Sequence, residues 1–248
     1  MKKKKVYRVL LIAVLAVVAL AVVLFAMQRK KAAENAHLTP TERIEALLTE
    51  HAKKTKTLQF AMNVPASGIH YSFSSTVPNQ RFHSASAGKL MTSTLIFMAI
   101  DQGKLALNTP ISSILGHELL NGLFVYQDTD YQDQVTVRHL LGHTSGVNDY
   151  YESETFDGST FTTDMINNPD TLWTPLELIA YTRDNQNAVG KPGEKFLYSD
   201  TGYILLGLII EEIYGMPFHE ALQTYIFDPA DMRETHLCFY SDGFDQEA

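Results

Sequence analysis

A chain of 248 residues is long enough for one large domain or two small ones, and its charge is unevenly placed. Residues 1–31 hold eight of the 20 Lys and Arg and no acid, so residues 32–248 carry 12 bases against 28 acids, a balance of −16. That acidic body repels phosphate and excludes a nucleic-acid binder, and the single cysteine, Cys238, excludes an intramolecular disulfide.

Five basic residues (Lys2, Lys3, Lys4, Lys5 and Arg8) precede 19 apolar residues from Val9 to Met27, and Arg29, Lys30 and Lys31 close the run. At about 1.5 Å per residue the run matches the ~30 Å hydrocarbon core of a bilayer. The excess of basic residues on its N-terminal side predicts a single-pass signal-anchor in the cell membrane. Residues 1–8 are then a cytoplasmic tail, 9–27 the span and 28–38 a tether, with residues 39–248 an extracytoplasmic domain. Secretion after signal cleavage is the alternative, although Phe25-Ala26-Met27 offers no small-x-small cleavage site.

Beyond the tether, Thr39-Pro-Thr-Glu-Arg starts an amphipathic helix running to about Lys53, with Ile44, Leu47 and Leu48 on one face. Leu58 to Val64 reads as a strand, Pro65-Ala-Ser-Gly68 as a turn, and Ile69 to Ser75 as the hairpin partner. A strongly helical run follows from about Ala87 to Asp101 and stops at Gly103. Val137 to Leu141 is a short helix, and Glu152 to Asp170 is polar and turn-rich, an exposed excursion. Pro175 to Asn185, Tyr203 to Tyr214 (ended by Gly215) and Pro217 to Ile226 are further helices. A two-stranded hairpin is marginal by itself in water, so the sheet requires more strands, and none is evident before Ala248.

Three stretches carry chemistry. In Phe82-His-Ser-Ala-Ser86-Ala-Gly-Lys89, Ser86 and Lys89 stand three apart at a helix start and share a face. The helix dipole favours negative charge developing there, and a desolvated lysine accepts a serine proton. A serine at that place is equally a helix N-cap. In Glu194-Lys-Phe-Leu-Tyr198-Ser-Asp200-Thr-Gly202-Tyr203, alternation along an extended loop turns Tyr198 and Asp200 to one side. The other reading is a tyrosine packed at a helix entry with Asp200 as N-cap. The third stretch, His139-Leu-Leu-Gly-His143-Thr-Ser145-Gly146, is not a Gly-x-Ser-x-Gly elbow, because Ser145 is one position late and no strand leads into it. It reads as a structured turn ending the short helix. His117-Glu118-Leu-Leu-Asn121 lacks the second histidine of a zinc helix, and the other histidines have no ligand spacing.

Together these stretches, with Gly103-Lys-Leu-Ala-Leu and Val135-Thr-Val-Arg-His, resemble the serine β-lactamase and penicillin-binding-protein superfamily in its class C β-lactamase-like branch. The similarity runs from about Thr41 to Thr235. It implies an α/β (α+β) β-lactamase/transpeptidase-like fold, an antiparallel sheet flanked by helices plus an all-helical region. It also implies no metal or organic cofactor. Ser86 would be the acylated nucleophile, Lys89 would assist its deprotonation, and Tyr198 would shuttle the proton to the leaving group. Asp200 stands where class C enzymes usually have asparagine. A carboxylate there favours the charged form of Lys89 and moves the base role toward Tyr198.

The resemblance also implies a third motif, Lys/His-x-Gly on a C-terminal strand that supplies one oxyanion donor, and no such motif follows Tyr198. Loss of one donor typically costs on the order of 10²–10³ in rate. The expectation is therefore a C-terminally truncated chain with an incomplete sheet. The expected activity is acyl-enzyme hydrolysis of an amide or ester, such as cell-wall stem peptide, by a D-Ala-D-Ala carboxypeptidase, D-aminopeptidase or esterase type of enzyme. The alternatives are a class C-type β-lactamase and a non-catalytic relative that binds wall peptide or a protein partner. The expected partners are a small-molecule or peptide substrate, including β-lactams, and the membrane.

Overall fold

The computed structural model describes residues 25, 37–55, 57–76, 81–238 and 240. The apolar run Val9–Met27 lies outside these residues except for Phe25. Among the described residues no helix is long and apolar enough to cross a membrane. The chain divides into two compact units, one ending at Phe82 and the other beginning at His83.

In the first unit, helix α1 (Pro40–Ala52) starts where Thr39 and Glu42 cap each other. The Glu42 N–H donates to Thr39 Oγ1 at 3.3 Å, and the Thr39 N–H donates to Glu42 Oε2 at 2.7 Å. Two orphan donors of the first turn are thereby satisfied, and Pro40 occupies a position whose N–H has no helical acceptor. Strands β1 (Gln59–Val64) and β2 (Ile69–Ser74) form an antiparallel pair with Gln59 opposite Ser74 and Val64 opposite Ile69. A 3₁₀ turn over Pro65–Ser67 joins them and ends at Gly68, whose φ of 63° favours glycine.

The second unit is built on two long helices, α2 (Gly88–Asp101) and α8 (Asp200–Tyr214). Leu95, Ile96 and Ala99 of α2 pack against α8, whose Leu205, Leu206, Ile209 and Ile210 recur at the i, i+1, i+4, i+5 spacing of one helical face. All seven are essentially solvent-free. Gly215 ends α8 in the left-handed conformation, its N–H donating to the Glu211 carbonyl at 2.8 Å. Around this pair lie α3 (Ser112–Leu115), α4 (His117–Leu120), α5 (Val137–Leu141), α6 (Phe161–Asn167), α7 (Pro175–Asn185) and α9 (Phe218–Leu222). The last continues as a wider π-type turn over Gln223–Phe227.

Several expectations are corrected here. Glu152–Asp170 is not merely an exposed excursion, because it contains α6. Buried Phe161 on that helix packs edge-on against Tyr150, Trp173 and Tyr181. A second, two-residue hairpin pairs β3 (Val125–Tyr126) with β4 (Thr129–Asp130). Its turn residues, Gln127 and Asp128, both take positive φ without any glycine to announce it. The last long apolar helix begins at Asp200 rather than Tyr203, and both proposed caps shift by one residue. Ala87, not Ser86, is the N-cap of α2, and Ser199, not Asp200, is that of α8.

Candidate active site

The turn that carries Ser86 is short and open. Residues Ala85–Ala87 form one 3₁₀ turn leading into α2, and Ser86 is exposed. Ala85 has a φ of 46°, a left-handed conformation that is costly for a residue with a Cβ. One turn along the same face, the Lys89 ammonium donates to Ser86 Oγ at 3.3 Å. Lys89 is mostly shielded and forms an ion pair with Asp200 Oδ1 at 2.5 Å. It also lies over the Tyr198 and Tyr203 rings, 5.0 and 5.5 Å from their centroids.

Burial disfavours the charge on Lys89, but its hydrogen bonds to Asp200 and Tyr198 and the attraction of both outweigh that penalty. Its pKa is raised, so Lys89 is an ammonium at neutral pH. The structure thus brings the sequence-predicted Ser86, Lys89, Tyr198 and Asp200 into one cluster, linked through the lysine.

A buried polar web holds the start of α8. The Ser199 hydroxyl accepts from the Gly202 N–H at 3.2 Å and donates to the Asn148 carbonyl at 2.9 Å. The Asp200 N–H donates to Asp149 Oδ1 at 2.7 Å, while Asp149 Oδ2 accepts from the Glu152 N–H at 2.7 Å. Asp149 is 2% exposed, and burial pushes its carboxyl above the ordinary value despite those backbone donors. Thr201 Oγ1 accepts from the Tyr150 N–H at 3.0 Å and bonds the Thr182 hydroxyl at 2.8 Å. Burial, then the neighbouring Asp200 and Asp149, pushes the Tyr150 phenol upward, so it stays protonated.

The turn at His143–Gly146 braces the opposite side. The Gly193 N–H donates to the Thr144 carbonyl at 2.7 Å, and the Val189 N–H to the Gly146 carbonyl at 2.9 Å. Gly146 has a φ of 86°, and a Cβ there would overlap the Gly190 carbonyl. His139 serves α5: its Nδ1 accepts from the Thr136 N–H at 3.2 Å. The cap roles of His139 and Asp149 and the placement of His143 against Tyr198 were absent from the sequence reading. His139 and His143 lie in the His139–Gly146 stretch read as a turn, and no motif marked Asp149. Among the described residues no group of three His, Cys, Asp or Glu is arranged to hold a metal ion.

The family model described as Beta-lactamase matches residues 37–247. The chain belongs to the Beta-lactamase family. It is 32% identical over 171 residues to penicillin-binding protein 4* of Bacillus subtilis (strain 168), covering 64% of this chain and 31% of that one. It is 25% identical, with a TM-score of 0.57, to the crystal structure of a D-stereospecific amidohydrolase from Streptomyces sp., covering 71% of this chain and 49% of that one. The octameric penicillin-binding protein homologue from Pyrococcus abyssi is 27% identical with a TM-score of 0.60, the match covering 78% and 44% respectively. The chain therefore has the β-lactamase/transpeptidase-like α/β fold, and it spans between about a third and a half of the length of these relatives.

Proposed function

We propose that Ser86 is the nucleophile of a serine hydrolase that forms an acyl-enzyme on an amide or ester. The observation that carries this reading is the Lys89 ammonium, held by Asp200 and reaching Ser86 Oγ at 3.3 Å with Tyr198 against it. A lysine kept charged is a poor base, so Tyr198 takes the Ser86 proton as Oγ attacks the carbonyl carbon. The step requires Tyr198 as its phenolate, a charge the adjacent ammonium favours, and taking the proton turns it into the neutral phenol. Tyr198 then returns the proton to the leaving amine or alcohol; in the second half-reaction it draws a proton from the attacking water and passes it to Ser86 Oγ as the acyl–oxygen bond breaks. The positive end of α2 stabilises the oxyanion in both steps.

Kinship with a penicillin-binding protein and a D-stereospecific amidohydrolase supports a substrate with a D-configured residue beside the scissile bond, as in cell-wall stem peptide. The apolar run Val9–Met27 and its basic flanks support attachment of this activity to the outer face of the cell membrane. A fluorophosphonate or a fluorescent penicillin is expected to label the protein at Ser86 and to leave Ser86→Ala unlabelled. Label retained by Ser86→Ala would remove Ser86 from the reaction. Proteolysis of intact cells is expected to digest residues 39–248, and their protection would refute the outward orientation.

A further inference from the structure

His143 touches Tyr198 and the residues on both sides of it. The Leu197 N–H donates to the His143 carbonyl at 2.9 Å, and the Ser199 N–H donates to His143 Nδ1 at 3.0 Å. Between these two anchors the Tyr198 ring stacks on the imidazole, with centroids 4.4 Å apart and planes inclined by 27°. The other face of the imidazole stacks on Tyr203 at 5.0 Å and 28°. The Tyr203 hydroxyl meets Ser93 Oγ of α2 at 3.1 Å, so the three-ring stack is tied to the helix that carries Lys89. His143 itself sits at a φ of 54°, a left-handed conformation uncommon for residues other than glycine, which its surroundings impose.

We infer that His143 is a positioning residue for the hydrolytic reaction proposed above, holding Tyr198 against Lys89 by ring stacking and by the lone pair of its Nδ1. The inference rests on that reading of Ser86 and Tyr198. Accepting from Ser199 leaves the neutral ring protonated at Nε2. Protonation of Nδ1 removes the acceptor and leaves the N–H of buried Ser199 unpartnered. It also sets a second cation in the stack whose two tyrosines face the Lys89 ammonium. The titratable groups facing the imidazole are Lys89 from α2, Asp200 and Tyr203 from α8, and Tyr198 from the loop. Burial and the Lys89 charge hold the His143 pKa below the ordinary 6.5 against the opposing pull of Asp200, so the neutral ring prevails at pH 7. Acidification disarms the site through the placement of Tyr198, while Ser86 and Lys89 keep their protonation.

The test compares His143→Phe, which keeps a ring without an acceptor, with His143→Asn, which keeps an acceptor and tolerates the left-handed backbone. The rate of Ser86 labelling by a fluorophosphonate is measured from pH 4.5 to 8.5 on the full chain. His143→Phe is expected to label about 10²-fold more slowly, as misplacement of a reacting group commonly costs. His143→Asn recovers about tenfold of that loss, near the value of one hydrogen bond. Neither variant retains the acid limb of the parent. Labelling of His143→Phe at the parental rate, an acid limb that persists in His143→Asn, or equal losses in both variants with reduced thermal midpoints would each overturn the proposal. ¹⁵N-imidazole NMR reads the tautomer without any labelling: a bare Nδ1 at pH 7 is expected, and a proton on Nδ1 refutes the proposal. Failure of the parent to label, with the expected tautomer present, refutes the hydrolase reading and confines His143 to a structural role.

Discussion

Ser86 stands on an exposed 3₁₀ turn and meets the Lys89 ammonium, whereas Tyr198 and Asp200 flank a 2%-exposed serine in a loop pinned through the N–H groups of Leu197, Ser199 and Asp200. The difference matches the tasks proposed for the two segments. An attacking oxygen must be reachable by a carbonyl arriving from solvent. A proton shuttle loses efficiency when it wanders by an ångström, and fixing it costs conformational entropy that buried hydrogen bonds offset. Rigidity of this site accordingly resides in the loop residues 143–149 and 197–201, and access resides at 84–87.

The comparison breaks most visibly at Gly146. Gly146→Ala forces a Cβ into the Gly190 carbonyl at a φ of 86° and is expected to destabilise the protein by about 3 kcal/mol, read from urea unfolding. Next is Asp149→Ala, which removes the buried acceptor of the part-buried Asp200 and Glu152 N–H groups. It should cost about 2 kcal/mol and slow Ser86 labelling, whereas an alanine on the exposed Ser84 leaves stability unchanged. A Ser84→Ala loss as large as that of Asp149→Ala would erase the contrast between the two segments.

Asp200→Asn sharpens the comparison chemically. It removes the carboxylate that holds the Lys89 charge, so the alkaline region of the labelling profile is expected to move to lower pH, with about 1 kcal/mol lost in stability. An unmoved profile would mean that Lys89 does not titrate within it.

The smallest effect belongs to His139. Burial, and more weakly Arg138, depress its pKa below 6.5 despite a hydrogen bond to the Gln134 backbone. The unfolded chain therefore binds more protons just below that value, and the stability contributed is full above about pH 6.5 and falls as the pH drops through the folded pKa. His139→Gln keeps a capping side chain that does not titrate, and should flatten part of the stability slope between pH 6.5 and 5. His143, shifted in the same direction, adds to that slope. An unchanged slope in chemical denaturation would remove His139 from this role.

How far the residues alone reach differs from place to place. α1, the β1–β2 hairpin, α2, α5 and α7 were legible to within a residue or two, because each carries its own local signal in a cap, a turn or an apolar period. α6 was not, since its only strong anchor is Phe161, and what fixes Phe161 is a ring cluster assembled from residues 150, 173 and 181. The hairpin at Gln127-Asp128 was missed because those residues adopt positive φ without glycine.

At the site, the spacing of Ser86 and Lys89 and the Tyr198-Ser-Asp200 triplet were readable, as the i, i+3 face and loop alternation are local geometry. The contact of Lys89 with Asp200 spans 111 positions, and the grip of His143 on Leu197–Ser199 spans more than 50. No local period encodes such meetings. They exist because α2 and α8 bury Leu95, Ile96, Leu205 and Ile209 against each other, and that packing carries the two helix starts to one place. The sequence by itself determined which residue types stand at the two helix entries. That a carboxylate at Asp200 keeps Lys89 charged was an expectation of the resemblance; only the tertiary structure decided that the two meet and that His143 is clasped around Tyr198, because desolvation, ion pairing and ring stacking depend on distances that packing alone sets.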